Sequence, residues 1–467
     1  MRKFGKSPSE TWEEVLQMEP NANVRRVKIY TFVSFAMRTL WSGSVLSNWI
    51  MVKTDSETVV GNLTGIWGIA QVIASIPAGV LADKEDWRRS SLLKISAIFC
   101  LLAVGTMVVA TELYEFPVEV AGLGLGLWGI FWGIAYTVSE AIFASSIPCG
   151  LRSEVMTSKY NILLLSTLFG PLTAVLLFCY YGNTWSLTSC EGIIVFGNLG
   201  SLLALPMLLS LSDDTVEEKG ETDSALTSSL LSKAFEEPLS EHPSKISRIP
   251  ALIATSDVFS CLASGMSICY FPIYFYKTLD LSPVLVQVIY MVTGLGSVAF
   301  SKLNYLISLS VGRLEATMLS KIFGITFLVL MIASTSVLKL RTPYTVVFYV
   351  LRTCFMNSTK ALTKSQLMDI IQNKQRGKYS ALESINAVAW SGSAVIGGYI
   401  SKSTSMETNF AVTAGMQLLA LVPILLASIL IKTAGKSEEE FVRISRATFD
   451  SPFGEDLRAA GGDRDSR

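Results

Sequence analysis

The sequence predicts an all-α, polytopic membrane protein with twelve transmembrane helices in two pseudo-symmetric six-helix bundles. Three observations predict it. Of the 467 residues, 50% are apolar and 16% charged, against about 25% charged in soluble domains, and mean hydropathy is +0.46. Long charge-poor runs alternate with short polar connections, and each run reaches the roughly 20 residues needed to cross a hydrocarbon core of about 30 Å. The second half of the chain then repeats the helix spacing of the first at an offset of about 222 residues, as an internal duplication would.

The elements follow in order. A polar N-terminal segment, 1–26, lacks the apolar core of a cleaved secretory signal. Six spans are expected at 27–51, 58–82, 89–111, 118–147, 158–181 and 189–211, forming the N-terminal bundle 27–211. Residues 212–248 carry nine acids, four bases and many serines without apolar periodicity. They read as a disordered linker. Six further spans are expected at 249–276, 283–307, 313–337, 343–372, 377–401 and 409–432, forming the C-terminal bundle 249–432, with a polar tail at 433–467. The duplication has two residue-level anchors. Lys159-Tyr160 opens span 5 as Lys378-Tyr379 opens span 11, and Gly170-Pro171 falls opposite Gly392-Ser393.

Basic residues set the orientation. Lys84, Arg88, Arg89, Arg152, Lys159, Arg313, Lys374, Arg376 and Lys378 follow even spans, and Arg25, Arg26 and Lys28 precede span 1, which makes twelve. The other side has five: Lys53, Lys277, Lys339, Arg341 and Lys402. By the positive-inside rule the termini, linker and tail are expected in the cytoplasm. Whether the membrane is the plasma membrane or an organelle's is not encoded in this pattern.

Several function classes drop out. With 38 basic and 38 acidic residues there is no basic footprint for nucleic acid. A single histidine, His242, and no CxxC spacing among the seven cysteines leave no metal site or cofactor to expect. Neither HExxH nor GxSxG occurs, so the chain is not expected to be an enzyme.

The candidate chemistry lies in charges placed inside apolar runs, where each costs at least about 2.5 to 3.5 kcal/mol and so needs a partner, water or a role. Arg38 lies in span 1, Glu140 in span 4, Asp257 in span 7 and Arg352 in span 10. Charge thus recurs every third span, the period of inverted three-helix units whose first members line a central polar cavity. From the expected span ends, Arg38 and Glu140 lie roughly 16 and 11 Å deep, and Asp257 and Arg352 differ by about 4 Å. The expectation is two pairs, Arg38 with Glu140 and Arg352 with Asp257, on the substrate and proton pathway. The alternative for all four is a structural clamp between helices. Lys360, Lys364 and Asp369 of span 10 and Glu383 of span 11 read as an inner-mouth network. Trp132, Tyr136 and Tyr270 are candidates to line a cavity and stack on a flat or cationic solute, with ordinary packing as the alternative. Gly122, Gly124, Gly126, Gly129 and Gly133 permit close helix approach.

Between spans 2 and 3 the chain reads Gly79-Val-Leu-Ala-Asp83-Lys84-Glu-Asp-Trp-Arg88-Arg89. This resembles the cytoplasmic loop signature of the major facilitator superfamily, with Trp87 where a glycine usually precedes the basic pair. The corresponding loop between spans 8 and 9 keeps only Gly312-Arg313. The resemblance implies a fold of the major facilitator type and a secondary-active transporter that works by alternating access. It also implies that Asp83, Arg88 and Arg89 form a gating loop. The expected partners are a small-molecule solute, with an organic anion as the candidate because two arginines are buried, protons as coupling ion, and the lipid bilayer, in a monomer. A facilitated uniporter and a non-transporting receptor or scaffold stay open as alternatives.

Overall fold

The computed structural model describes residues 21–82, 84, 87–112, 118–147, 152–213, 249–339, 341–370 and 376–433. Within these the side chains of 152–154, 157, 249–250, 361, 364–370, 376–384 and 431–433 are not described. The described backbone is helical, joined by short turns, with no strand among the described residues.

Span 1 consists of α1 (Ala22–Trp41) and α2 (Ser44–Thr54). Spans 2 to 5 are α3 (Glu57–Ala82), α4 (Arg89–Glu112), α5 (Val118–Ser145) and α6 (Arg152–Tyr181). Span 6 joins α7 (Leu187–Ser201), a 3-10 turn and α8 (Leu205–Leu209). Span 7 joins α9 (Ile249–Ile268) and α10 (Phe271–Lys277). Spans 8 to 12 are α11 (Pro283–Val311), α12 (Arg313–Ser336), α13 (Thr342–Ile370), α14 (Arg376–Ser403) and α15 (Met406–Thr433).

Two helices start well before their apolar runs. The Asn21 side chain caps α1 by accepting from the Asn23 N–H at 2.9 Å, so the helix starts five residues before the expected 27. Span 5 begins at Arg152, six residues before the expected 158, which puts Lys159 two turns inside a helix rather than in a loop. Between α11 and α12 only Gly312 intervenes, at φ +100, a turn in the left-handed region where a side chain would strain.

Spans 1 and 7 open the two halves, and both are broken. The breaks fall at Ser42-Gly43 and at Cys269-Tyr270. The short helices beyond them lead into loops holding an aspartate at positive φ, Asp55 (φ 47) after Lys53-Thr54 and Asp280 (φ 50) after Lys277-Thr278-Leu279. Discontinuous helices of this kind recur in transporters with internal repeats.

Among the described residues nine helices are long and apolar enough to cross a membrane, covering spans 2 to 9 and span 12. Spans 1, 10 and 11 fall below that hydropathy. Span 1 carries Arg25, Arg26, Lys28 and Arg38, and span 10 carries Arg352, Lys360, Lys364 and Asp369. The apolar surface is laid out for lipid. On α3, Ile66, Ile69, Ile73, Ile76 and Val80 are all exposed at helical spacing along one stripe. The chain is an integral, multi-pass membrane protein.

Packing divides the chain into two compact units that cut across the linker-based division. The first holds Met1–Asp223, Met266–Gly294 and Ser391–Met406; the second holds Ser224–Gly265, Leu295–Trp390 and Glu407–Arg467. In the first unit α3 and α5 meet along glycines. A Cβ on Gly129 would lie 2.3 Å from the Trp67 carbonyl oxygen, and one on Gly133 would lie 2.3 Å from that of Gln71. Where odd spans start, Asn23 donates to Ser146 Oγ at 3.2 Å and to the Ser212 carbonyl at 3.0 Å, and Asp213 accepts from the Ser90 hydroxyl at 2.7 Å. At the opposite end Gln287 donates to Ser44 Oγ at 2.7 Å, Trp185 to the Leu281 carbonyl at 2.9 Å, and Lys277 bonds Asp55 with Glu57 3.9 Å away. In the second unit, Phe300, Phe323 and Phe327 all contact Phe355.

Two predictions follow from this packing. Gly129→Ala and Gly133→Ala each meet backbone that cannot yield, and are expected to cost about 1–3 kcal/mol. Gly105→Ala, with open space at its Cβ, should leave thermal unfolding of the purified protein unchanged. The Lys277 ammonium, by hydrogen bond and then by charge, holds the Asp55 carboxyl below its ordinary range. A depressed folded value means that the contribution is complete above the unfolded value and is lost as pH falls through the folded one. The difference in unfolding temperature between wild type and Asp55→Asn should therefore stay constant from about pH 8 to 5 and close below about pH 4.

Candidate functional site

Arg38 lies in the last turn of α1, four residues before the break in span 1. Its guanidinium carbon stands over the Trp67 ring of α3 at 4.8 Å and over the Trp132 ring of α5 at 4.6 Å. Trp67 stacks on Trp41 at 5.6 Å and 6°, Trp41 meets Trp128, Trp128 meets Phe131, and Phe131 meets Trp132. Arg38, touching the first and last rings of this chain, completes the circuit. Trp128 donates its N–H to Asn198 at 2.8 Å. The buried indole N–H groups of Trp41, Trp67 and Trp132 have no hydrogen-bond partner among the described residues. Arg38 itself is half-buried, and Tyr136, exposed on α5, lies within its electrostatic reach.

Glu140 does not pair with Arg38. Its carboxylate bonds the Lys159 ammonium of α6, and Lys159 is buried with Phe143 at 4.5 Å. The correction follows from the observed helix ends. Arg38 is sixteen residues from the start of α1, about 24 Å, whereas Glu140 is five from the end of α5, about 8 Å. Lys159 is seven from the start of α6, about 10 Å, and meets the carboxylate at its own depth.

The second unit corrects the other expected pair in the same way. Asp257 is eight residues into α9 and Arg352 eighteen from the end of α13, about 12 against 27 Å. Lys321 is eight residues into α12, level with Asp257, and is the cation whose charge acts on it. Lys321 is buried and donates to Ser260 Oγ at 2.8 Å and to Ser256 Oγ at 3.4 Å. Gln417 of α15 donates to the Ser260 carbonyl at 3.3 Å and to Ser264 Oγ at 3.2 Å, which ties spans 7, 9 and 12 together. Lys360 shares this region: Cys261 feels the charges of Asp257, Lys360 and Lys321. Arg352 is buried.

The remaining expected residues divide. Asp83, and the side chains of Lys364 and Glu383, lie outside the described residues. Arg88 is exposed, while Arg89 donates to the Ala82 carbonyl at 3.0 Å and to Ser145 Oγ at 3.1 Å, tying the ends of α3 and α5. Tyr270 lines no open surface. It is fully buried against Gly61, Gly397 and Gly398, and its hydroxyl donates to the Ala394 carbonyl at 2.8 Å. Sequence reading passed over Lys321 and Trp67 and took Lys159 for a loop base. The depth of Lys321 relative to the start of its helix, equal to that of Asp257, is the signal that finds it.

The family model of the Major Facilitator Superfamily matches residues 29–384. The chain belongs to the Major Facilitator Superfamily. No curated protein sequence matches it significantly. Among solved structures it is similar to a bacterial homologue of the iron transporter ferroportin in the inward-facing state, with 11% identity and a TM-score of 0.64 over 87% of this chain and 98% of that one. It is also similar to the nucleoside transporter NupG, at 12% identity and a TM-score of 0.61 over 87% and 99%. A D-xylose-proton symporter gives 14% and 0.60 over 86% and 97%. At these identities the likeness is one of fold. The superfamily makes this chain a membrane transporter of the major facilitator type.

The Glu140 and Lys159 pair carries its own prediction. Glu140→Gln leaves a buried ammonium uncompensated and is expected to destabilise the protein by about 1–3 kcal/mol, discounted because the carboxylate is partly exposed. Adding Lys159→Met should recover at least half of that loss in thermal unfolding.

Proposed function

We propose that the chain is a secondary-active carrier that moves a small organic anion by alternating access, coupled to protons. One observation carries the reading. Glu140 answers Lys159 and Asp257 answers Lys321, but no carboxylate answers Arg38 among the described residues. A cation held inside a membrane protein without a counter-charge is costly. A bound anion would supply one, and binding would neutralise the site for the change of access.

Proton coupling rests on Asp257. Its carboxylate and the Lys321 ammonium are deep in the same three-span cluster, so protonating the acid removes the charge that Lys321 faces and changes the balance among its serine and glutamine neighbours. A group so placed links proton occupancy to the arrangement of spans 7, 9 and 12. That one structure of the same fold is a proton symporter supports the proton as coupling ion. The distribution of basic residues supports cytoplasmic termini.

The test is uptake by the purified protein in proteoliposomes, with a panel of radiolabelled organic anions and an imposed pH gradient. Acidifying the outside should drive accumulation of a transported anion, and Asp257→Asn should reduce that accumulation at least tenfold while anion exchange at equal pH persists. Uptake that ignores the gradient would identify a uniporter, and accumulation undiminished in Asp257→Asn would remove the residue from the coupling.

A further inference from the structure

The substrate's chemistry can be narrowed from the arginine's surroundings, an inference that rests on the anion-carrier reading above. Two indole rings cover the Arg38 guanidinium, at 4.8 and 4.6 Å. A guanidinium is planar and carries its five N–H donors in that plane. The ring contacts supply no hydrogen-bond acceptor in the plane of those donors, and no hydrogen bond from a described residue engages them. The flanking Trp67 and Trp132 add two more donors, buried N–H groups without acceptors, and Trp41 stacked on Trp67 adds a third. An orphaned buried donor costs about 1–3 kcal/mol, so three in one aromatic cluster around one cation are an unusual concentration of unmet donor capacity. The cluster offers mainly donors and π-faces, and the acceptors near it are the hydroxyls of Tyr30 and Tyr136, both within electrostatic reach of Arg38.

Such a surface selects by type. A cation meets Arg38 as a like charge. A neutral sugar or nucleoside would leave the Arg38 charge unanswered. A carboxylate has two acceptor oxygens in one plane at the spacing of the guanidinium fork, and can take an indole N–H as a further donor. The charge count sets the valence. In this cluster a single positive charge is unanswered, since Lys159 is already paired with Glu140, so a monoanion balances it where a dianion would overshoot. The indole walls and the exposed Tyr136 ring give the rest of the ligand a flat, apolar environment.

We infer that Arg38, flanked by Trp67 and Trp132, is a carboxylate clamp, and that the transported solute is a monocarboxylate with a flat or apolar body.

The probes are benzoate, cyclohexanecarboxylate, the neutral isostere benzamide, the dianion phthalate and inorganic phosphate, each titrated by calorimetry into the full chain in lipid nanodiscs. Trp67→Phe and Trp132→Phe keep a six-membered aromatic face and remove the N–H together with the pyrrole ring, and Arg38→Lys keeps the charge and removes the fork. The expected result is binding of at least one monocarboxylate and not of benzamide, weakened about tenfold or more by Arg38→Lys and about five- to tenfold by either Trp→Phe change, with the tryptophan variants still unfolding cooperatively at a somewhat lower temperature, as loss of buried ring volume requires. Monocarboxylate affinity equal in all three variants would overturn the clamp while leaving the anion carrier intact. Binding of phthalate or phosphate alone would do the same. Binding of benzamide and of no anion would overturn both, and a panel without any binder would overturn the clamp.

Discussion

The desolvation of charge in an apolar interior is the constraint on which the rest of this molecule depends. Helices packed at lipid depth cannot leave an ammonium or carboxylate unanswered without a cost of several kcal/mol, and the structure meets that demand in three different ways. Lys159 is answered by a carboxylate, Lys321 by two hydroxyls with a carboxylate in reach, and Arg38 by the faces of two indoles. The first two combine opposite charge with hydrogen bonds. The third has two ring contacts and no hydrogen bond to the guanidinium among the described residues.

Depth decides which charges can meet. A helix advances about 1.5 Å per residue, so partners on neighbouring spans must lie at nearly equal distances from helix ends on the same side. Asp257 and Lys321, each eight residues from the start of its helix, satisfy this. Glu140 and Lys159 satisfy it across the short connection between α5 and α6. Arg38 with Glu140, and Arg352 with Asp257, miss by about 15 Å, roughly half the hydrocarbon thickness.

Much of the fold was legible in the sequence because apolar runs of bilayer length admit one solution, the helix. Most span limits fall within a few residues of those read from the chain. The failures share a cause. Hydropathy marks where lipid begins, whereas helices continue into water as long as caps and good helix formers allow. Asn21 extends span 1 outward, and α6 runs on past the apolar start of span 5, so depths measured from the apolar edge were wrong for Arg38 and misplaced Lys159. Lys321 escaped because a lone lysine two turns into a helix resembles a snorkelling interfacial residue, and only the co-level acid on span 7 distinguishes the two. The breaks in spans 1 and 7 left no clear signal: Ser42-Gly43 is a common small pair, and Cys269-Tyr270 is unremarkable in sequence.

The glycine seam and the arginine site are one piece of construction. Gly129 lies against the carbonyl of Trp67 itself, and Gly133, next to Trp132, lies against that of Gln71 one turn further along α3. The separation of α3 and α5 is therefore set by backbone contact at the level where each helix presents an indole to Arg38. Side-chain rotamers alone would allow those rings to drift apart; a helix pair closed to glycine distance does not. A methyl group at either glycine would widen the gap that the guanidinium fills, weakening both ring contacts at once. Small residues that the sequence offered as plain packing thus hold the geometry of the proposed clamp, and the stability of α3 against α5 and the affinity at Arg38 should rise and fall together.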